Sequence, residues 1–538
     1  MNKPRQDHRI PPDDHCVLGP IIDRHAAERP DALFARFEDG VEWTYGQLRD
    51  AVRATAAGLA GLGVRKGDHV AVWLPNGPDV LRVWFAINYL GAVCVPINLA
   101  YRGSILAHAI KLSGARLIVC HTGLADRLAE VEPARLERVV VLGGTVPDVY
   151  PLPCCGADAL QGDGAILDGM DRTVRPWDLQ CLMFTSGTTG ASKAVRSSYL
   201  HLYSVCDYPY RMFTTDDRYL VNLPLFHVGG TVATYAMLVR GASIAVVESF
   251  RASEFWSVVR RSGATVATLL GSMTPLIAAA PQAAEDATSP LRIGFMIPLV
   301  QDAKAFGSRF GCEIYTLFNM TEISSPIVSD LYPEPLGTCG KPRPGVEARV
   351  VDENDVEVED GKVGELILRA DVPWAFSDGY HEDAAATARA WRNGWFHTGD
   401  AFRKDAAGNF FFADRMKDAI RRRGENISSF EVESEVAAHP NVKECAVVAV
   451  RDAIGEEEVM AVVVLRDPAA HDPAAMIEFL VKRVPHFMVP RYIRTVDGMP
   501  LTPTQKIQKN VLRDAGLTED TWDREAEGIR VRRTRLDG

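Results

Sequence analysis

The sequence lacks several features that would place a protein in a class at once. No apolar run approaches the roughly 18 residues of a membrane span, and the ten cysteines show no Cys-x-x-Cys spacing. No repeat of fixed period is visible. The opening stretch, MNKPRQDHRIPPDDH, has no apolar core of the kind found in export signals. We therefore expect a cytoplasmic protein with neither a disulfide framework nor a cysteine metal cluster.

The sequence also lacks an excess of positive charge, since 70 Asp and Glu residues outnumber 59 Lys and Arg residues and the formal net charge is −11. Nucleic acids and anionic membranes select basic faces, so neither is expected as a partner. The 538 residues exceed one ordinary core, and 47% hydrophobic with 24% charged residues is typical of a soluble globular protein. Two or more domains are expected.

One loop stands out against this background. FTSGTTGASKAV, residues 184–195, follows the apolar run LQCLMF, which predicts a buried strand. Backbone N–H groups in such a loop can curl around an anion, and Lys193 adds a positive charge. A Walker loop is excluded, because Gly190 and Lys193 are not adjacent. From its composition the loop is either a phosphate cradle or an ordinary exposed loop. Its small and hydroxylated residues are Thr185, Ser186, Gly187, Thr188, Thr189 and Gly190.

Helical periodicity alternates with short β-rich runs on both sides of this loop. Residues 43–64 predict an amphipathic helix that begins with a capping box of Thr44 and Gln47. Such alternation implies mostly parallel sheets covered on both faces. Residues of about 132–175 are rich in Gly, Pro and Asp and predict connections, whereas about 337–412 predicts a β-rich subdomain.

A domain boundary is predicted near Asp414 to Asp418, where charged residues and a glycine turn occur together. A compact α+β pattern of about 100 residues follows, which is a typical domain size. We therefore predict an α/β fold with a large N-terminal domain, residues 1–416, and a small α+β domain, residues 417–538.

Further motifs follow the loop along the chain: NLPLFHVGG, LFNMTE, GWFHTGD, DRMKDAIRRRGENIS and TPTQKIQK. In this order and spacing, and over nearly the whole chain, they resemble the adenylate-forming superfamily of acyl-CoA synthetases, peptide-synthetase adenylation domains and luciferases. FNMTE and TPTQKIQK are most similar to the carnitine/crotonobetaine-type CoA ligases. The resemblance implies an N-terminal adenylation domain and a mobile C-terminal domain.

The resemblance also implies a reaction with ATP, Mg²⁺ and coenzyme A. A small or medium carboxylic acid attacks the α-phosphorus of ATP to give an acyl adenylate, and the thiol of coenzyme A then releases AMP. Such chemistry needs positioning and charge stabilisation. Two alternatives stay open: loading of a carrier protein, or activation of nitrite to join nitrogen to an aryl amine. A binding homologue without activity is disfavoured, since charged residues of the motifs are retained. The oligomeric state also stays open, a homodimer included.

Contacts with ATP are assigned by the resemblance, residue by residue. Lys193 and its loop hold the β- and γ-phosphates, and Phe318 lies over the adenine. Thr321 contacts the α-phosphate, and Glu322 binds Mg²⁺, a hard cation that prefers carboxylate oxygen. The full set is Thr185, Ser186, Gly187, Thr188, Thr189, Gly190, Lys193, Phe318, Asn319, Thr321, Glu322, Asp400, Arg415 and Lys506.

The last members of this set act on the ribose and on the reacting atoms. Asp400 accepts the ribose hydroxyls, with Arg415 beside it. Lys506 bridges the carboxylate, the α-phosphate and the ribose during adenylation. Lys417 matches the hinge about which the small domain rotates, which brings Gly424, Glu425 and Asn426 to the coenzyme A tunnel. Arg421, Arg422 and Arg423 either reach coenzyme A phosphates or form a solvated face.

His227 matches a gate between the acyl pocket and the thiol tunnel. Where the family has a small-residue SGGAPL segment, this chain has GFMIPL, residues 294–299, and the added bulk disfavours long acyl chains. Asp207 and Glu248 are candidates for an anionic partner of a substrate ammonium group. The predicted acyl pocket comprises His227, Val228, Gly271, Met296, Ile297 and Met320.

This chain departs from the family pattern at several motif positions. Ser192 replaces the usual proline before Lys193, and Ala194 replaces the usual glycine after it. Asn319 replaces a common glycine and is expected either to contact the adenine amine or to intrude on the acyl pocket. Gln505 replaces the glycine before Lys506. No charged group is lost, so altered loop stiffness is expected with binding retained.

Overall fold

The computed structural model describes residues 7–146, 152–185, 192–249, 251–270, 273–278, 281, 283, 286–415, 419–423, 425–452, 455–500, 507 and 509–531. In this part of the chain, two mostly parallel sheets form the body of the N-terminal domain. From edge to edge, the first sheet consists of Cys154–Cys155, Arg138–Leu142, Leu117–His121, His69–Trp73, Val93–Pro96, Leu179–Thr185 and Lys193–Ser198. The second consists of Glu313–Tyr315, Ile293–Ile297, Val266–Leu270, Arg218–Val221, Ser243–Val246, Leu33–Phe37 and Glu42–Thr44.

A layer of helices lies between these sheets, and its apolar side chains share one core with the inner faces of both. The predicted capping box is confirmed, because the Thr44 hydroxyl accepts from the Gln47 N–H at 3.3 Å and the Gln47 side chain accepts from the Thr44 N–H at 2.9 Å. The helices of this layer are Leu18–Glu28, Tyr45–Gly61, Pro78–Tyr89, Tyr199–Cys206 and Val228–Arg240.

Other helices cover the outer faces, so the predicted coverage of parallel sheets on both sides is confirmed. Gly103–Ser113 packs on the first sheet, and Phe255–Ser262 with Ala303–Phe310 packs on the second. The remaining helices of the large domain are Asp13–Cys16, Thr122–Ala125, Met273–Ala278 and Ala384–Ala390, with 3-10 turns at Asp126–Leu128, Ala157–Leu160, Gly164–Gly169, Ala252–Glu254 and Asp286–Thr288.

The prediction of plain connections across residues 132–175 was wrong for two segments. Arg138–Leu142 and Cys154–Cys155 are strands of the first sheet, paired in parallel with their neighbours. The strand Arg138–Leu142 is short and lies among residues typical of turns, so its apolar run carries little signal on its own.

A third, antiparallel sheet is the β-rich subdomain predicted from the sequence. It begins at Leu317, ahead of the predicted start near residue 337, because the motif LFNMTE opens with its first strand. The strands in order are Leu317–Phe318, Ile327–Val328, Thr338–Pro342, Phe410–Arg415, Trp395–Lys404, Val363–Ala370 and Val346–Val351, and Trp391–Arg392 pairs with Trp395–Lys404.

The small domain follows the end of the third sheet. The predicted boundary at residues 416–417 falls between strand Phe410–Arg415 and a hairpin, Ala419–Arg422 with Glu425–Ser428. Apolar residues of this domain share a core with the outer face of the first sheet. Its sheet consists of Val442–Arg451, Glu457–Leu465, Tyr492–Thr495 and Trp522–Asp523, and its helices are Ser429–Ala437, Pro473–Val481 and Lys509–Asp514, with a 3-10 turn at Pro468–Ala470.

A search of the helices in the described ranges finds none with the length and apolarity that a membrane crossing requires.

Candidate active site

Lys193 lies at the start of an edge strand, opposite Thr185 at the end of its partner strand. The chain segment around Tyr380 pairs with the other side of this edge strand. The His381 N–H donates to the Ala194 carbonyl at 2.8 Å, and the Arg196 N–H donates to the Gly379 carbonyl at 3.0 Å. These bonds fix Tyr380 beside Lys193, whose ammonium nitrogen is 4.8 Å from the centre of the Tyr380 ring.

The same tyrosine reaches the motif that contains Glu322. The Tyr380 hydroxyl donates to Glu322 Oε1 at 2.9 Å, and Glu322 is 6% exposed. Burial, and then the nearby carboxylate, raise the pKa of the Tyr380 phenol. The phenol therefore stays protonated as a donor, and Lys193, Tyr380 and Glu322 form one polar cluster at the edge of the first sheet.

The donor set at this cluster fits a magnesium ion that shares its ligands with a nucleotide. Mg²⁺ sites of that kind use one or two carboxylates, with phosphates and waters completing the octahedron. Glu322 supplies such a carboxylate. Groups of three or more His, Cys, Asp or Glu side chains placed to enclose a metal are absent from the described residues.

The loop that carries Thr321 and Glu322 is held by Asn319. The Asn319 side-chain oxygen accepts from the Ser325 N–H at 2.7 Å, and Ser325 adopts a positive φ of 44°. The prediction left this side chain either at the adenine or in the acyl pocket. The structure shows its oxygen bound within its own loop, which fixes the turn there, and its contact with the adenine or the acyl pocket stays a prediction.

The adenine and ribose residues predicted from the sequence come together on the third sheet. The Phe318 ring meets that of Phe402 edge-on at 4.8 Å, and Asp400 lies on the same strand as Phe402. Asp400 is 3% exposed, and its N–H donates to the Thr398 hydroxyl at 3.1 Å. The backbone of Asp400 is paired with that of Arg415 on the next strand.

His227 is placed by a tight turn ahead of helix Val228–Arg240. The His227 N–H donates to the Pro224 carbonyl at 3.1 Å, and the Thr231 hydroxyl donates to the Leu225 carbonyl at 2.8 Å. The turn requires glycine at residue 230, because a Cβ there would lie 2.4 Å from the Pro224 oxygen. The local sequence thus fixes the turn that carries His227.

His227 contacts the small domain. Its Nε2 is 3.1 Å from Oε2 of Glu425, which lies on the hairpin of that domain. The two side chains are 37% and 24% exposed, so the pair lies at a partly open junction. The structure therefore brings the predicted gate and the predicted coenzyme A tunnel together.

The residues predicted for the acyl pocket do not all lie together. Successive side chains of strand Ile293–Ile297 point to opposite faces of the second sheet, so Met296 and Ile297 lie in different cores. Ile297 packs with Val228 against the core between the sheets, whereas Met296 is fully buried in the outer core of the second sheet. Met320 packs against the core of the third sheet. Ile297 and Val228 therefore pack against the same core, whereas Met296 and Met320 each pack in a different one. Asp207 and Glu248 are both exposed.

Two of the three arginines of the hairpin, Arg422 and Arg423, have separate environments. Arg422 is 5% exposed and forms an ion pair of 2.6 Å with the fully buried Glu458. The Arg423 side chain is 61% exposed and lies 3.3 Å from the same carboxyl group. Arg422 is therefore part of the interior of the small domain, whereas Arg423 is exposed at its surface.

Several predicted site residues lie outside the described part of the chain. They are Ser186, Gly187, Thr188, Thr189, Gly190, Gly271, Lys417, Gly424 and Lys506, together with the side chains of Arg415 and Asn426.

Sequence reasoning missed Tyr380. It lies 58 residues from Glu322, in a stretch without helical or strand periodicity. The pairing of its segment with the edge strand of the first sheet is what brings it to the cluster, and that pairing is a property of the fold.

Comparison with known proteins agrees with this geometry. The profile described as AMP-binding enzyme matches residues 22–380, and that described as AMP-binding enzyme C-terminal domain matches residues 431–506. The chain belongs to the AMP-binding enzyme family. The resemblance inferred from the motifs is thereby confirmed.

Curated relatives of this AMP-binding enzyme include two crotonobetaine/carnitine–CoA ligases. The Salmonella arizonae protein is 30% identical over 88% of this chain and 93% of its own length. The Citrobacter koseri protein is 29% identical over 90% of this chain and 95% of its own.

Solved structures share the fold. An o-succinylbenzoate CoA synthetase from Bacillus subtilis superposes with a TM-score of 0.76 at 23% identity, covering 92% of this chain and 98% of that one. An amide bond synthetase from Marinactinospora thermotolerans gives 0.76 at 24% identity, with 92% and 99% covered. The predicted α/β architecture is therefore confirmed.

Proposed function

We propose that this chain joins a small or medium carboxylic acid to coenzyme A in two steps at one site. In the first step a carboxylate oxygen bonds to the α-phosphorus of ATP, the bond to the β-phosphate oxygen breaks, and pyrophosphate leaves. In the second step the thiol of coenzyme A gives its proton to solvent, its sulfur bonds to the acyl carbon, the bond from that carbon to the phosphate oxygen breaks, and AMP leaves. One observation carries the proposal: the same structure contains both the cluster of Lys193, Tyr380 and Glu322 and the contact between His227 and Glu425.

The residues for the first step lie around the edge of the first sheet. Lys193 presents its charge at the cluster, where it would bind the β- and γ-phosphates together with the loop that precedes it. Glu322, oriented by the Tyr380 hydroxyl, would hold Mg²⁺. A bound magnesium ion would neutralise part of the negative charge of the phosphates.

The nucleoside would lie against the third sheet. Phe318 would cover the adenine, Asp400 would accept the ribose hydroxyls, and Thr321 would donate to the α-phosphate. The position of Asp400 supports this assignment, because it lies on the same strand as Phe402, against which Phe318 packs, and a carboxylate can accept from two vicinal hydroxyls. Lys506 would complete the site during adenylation.

The second step uses the junction of the two domains. Glu425 and His227 lie at the point where the hairpin of the small domain reaches the turn before helix Val228–Arg240. A thiol near its own pKa needs little help from a base, so we assign His227 to gating and the hairpin to guiding coenzyme A.

The bulk of Ile297 beside Val228 is the reason for proposing a small or medium acid. Ile297 stands where the family commonly has a small residue, and it packs on the same core as Val228. Its branched side chain shortens the space available to an acyl chain. Neither Asp207 nor Glu248 supplies a buried anion for a substrate ammonium group.

The test is release of AMP and pyrophosphate with a panel of acids, with and without coenzyme A. The panel includes crotonobetaine, carnitine, o-succinylbenzoate and anthranilate, and Glu322→Gln is the inactive control. A coenzyme A thioester with stoichiometric AMP supports the proposal. Adenylate formation without any thioester would overturn coenzyme A as the acceptor and direct the search to carrier proteins or amines. If ATP is not turned over with any acid, amine or nitrite, the remaining interpretation is a binding homologue without activity.

A further inference from the structure

A buried hydrogen bond joins the phosphate loop of the large domain to the small domain. The Ser192 N–H donates to Glu431 Oε1 at 2.7 Å. Ser192 is 2% exposed and Glu431 8% exposed, so water does not compete for the bond. Ser192 immediately precedes Lys193, and Glu431 lies in the first turn of helix Ser429–Ala437. The bond therefore links the residue next to the phosphate-binding lysine with the helix that follows the hairpin.

The surroundings hold both partners of this bond in place. On the side of the large domain, His108 Nε2 lies 2.8 Å from the Ser192 carbonyl oxygen, so the Ser192 backbone is engaged at both its N–H and its C=O. On the side of the small domain, Glu435 lies one helical turn beyond Glu431. Its carboxylate accepts from the Ser104 hydroxyl, and from Arg483 Nε at 2.6 Å. The same helix face thus contacts the large domain twice.

The donor in this bond exists because residue 192 is not proline. The resemblance places proline before the lysine, and a proline has no backbone N–H. Serine at this position adds a donor, and a buried carboxyl oxygen that accepts a backbone N–H avoids the cost of leaving either group without a partner. A contact of this kind is thus possible in this chain and impossible in a chain with the usual residue.

We propose that Ser192 and Glu431 form an interdomain latch that holds the small domain in the orientation in which Glu425 contacts His227. The inference rests on the proposed two-step function, since that orientation serves the thioester-forming step. Glu431 is a positioning residue: it acts through the placement of the hairpin and touches no reacting atom. The latch also ties the orientation of the small domain to the backbone of the phosphate loop.

Two variants of Ser192 separate the role of its backbone N–H from that of its hydroxyl. Ser192→Pro removes the N–H and restores the usual family residue, whereas Ser192→Ala removes the hydroxyl and keeps the N–H. Glu431→Leu removes the acceptor from the other side. Because each variant breaks the same bond, Ser192→Pro combined with Glu431→Leu should be no worse than the more severe single variant.

Hydrogen–deuterium exchange of the chain without substrates reports the latch independently of the reaction. We expect Ser192→Pro to increase exchange severalfold in the peptide of residues 429–437, which lies 239 positions away in sequence. Ser192→Ala should match the unaltered chain. Equal exchange in Ser192→Pro and Ser192→Ala would overturn the latch.

The two half-reactions supply the functional readout. With a supplied acyl adenylate, Ser192→Pro should slow thioester formation about tenfold, as expected when a buried carboxyl oxygen loses its hydrogen-bond donor. Release of pyrophosphate from ATP and acid should be retained in Glu431→Leu, which breaks the same bond without altering the phosphate loop. If thioester formation by Ser192→Pro equals that by Ser192→Ala, the latch has no role in the reaction. If the unaltered chain forms no adenylate with any acid, the proposed function fails, and the exchange comparison still decides the latch.

Discussion

The phenol of Tyr380 does two things at once, because its ring faces the Lys193 ammonium group and its hydroxyl donates to Glu322. Tyr380→Phe removes the hydroxyl and keeps the ring. Hydrogen bonds to charged groups contribute roughly 1.5–3 kcal/mol, so we expect kcat/KM for Mg-ATP to fall about tenfold and the magnesium requirement to rise. Tyr380→Leu, which also removes the ring, should lose more. Equal activity of Tyr380→Phe and the unaltered chain at limiting magnesium would contradict this role.

The Glu431 carboxyl group predicts a pH dependence of domain docking. Burial raises its pKa from 4.5 to about 7, and the hydrogen bond from the Ser192 N–H opposes that rise. In the docked orientation the group therefore holds its proton up to a higher pH than it would when exposed to solvent. Docking is most favourable below about pH 4.5, weakens as the pH rises toward 7, and is constant above that value.

Glu431→Gln cannot ionise and isolates this effect. The rate of thioester formation by the unaltered chain, divided by that of Glu431→Gln, should fall between pH 5.5 and about 7 and then level off. The other titratable or charged groups facing this region are Tyr101, His108, Glu425 and the Glu435–Arg483 pair, and they are present in both proteins. A ratio that does not change with pH would show that Glu431 does not titrate in the docked state.

At the scale of elements, the loop from Asn319 to Ser325 shows how one side chain fixes a motif. Asn319→Ala leaves the Ser325 N–H without its acceptor, whereas Asn319→Asp keeps an oxygen in place. We expect faster deuterium exchange in the peptide of residues 319–326 and a higher KM for ATP in Asn319→Ala. Exchange in Asn319→Asp should stay close to that of the unaltered chain. If both substitutions leave exchange unchanged, the hydrogen bond does not order the loop.

Elements with strong local signals could be predicted from the sequence. The capping box of Thr44 and Gln47 fixes the start of helix Tyr45–Gly61 before any tertiary contact is known. The short strand Arg138–Leu142 could not be predicted, because its place in the sheet depends on pairing with Leu117–His121. The separation of Met296 from Ile297 follows from strand alternation, and only the assembled sheets show which of them faces which core.

At the scale of the whole molecule, the site depends on contacts that no stretch of sequence contains. Ordered motifs identify Lys193, Glu322 and Asp400, since each motif is local. The pairs His227–Glu425 and Ser192–Glu431 are 198 and 239 residues apart, and they exist because the small domain packs on the outer face of the first sheet. Sequence reasoning could name His227 and Glu425 separately, and it gave no signal for Glu431.

The central claim is that one chain performs adenylation and thioester formation with different residues of the small domain. Lys506→Ala and Glu425→Ala test it as a reciprocal pair. Pyrophosphate release from ATP and acid measures the first step, and coenzyme A thioester formation from a supplied acyl adenylate measures the second. We predict that Lys506→Ala nearly abolishes the first step and retains the second, whereas Glu425→Ala slows the second and retains the first. Equal loss of both steps in Lys506→Ala would contradict the account.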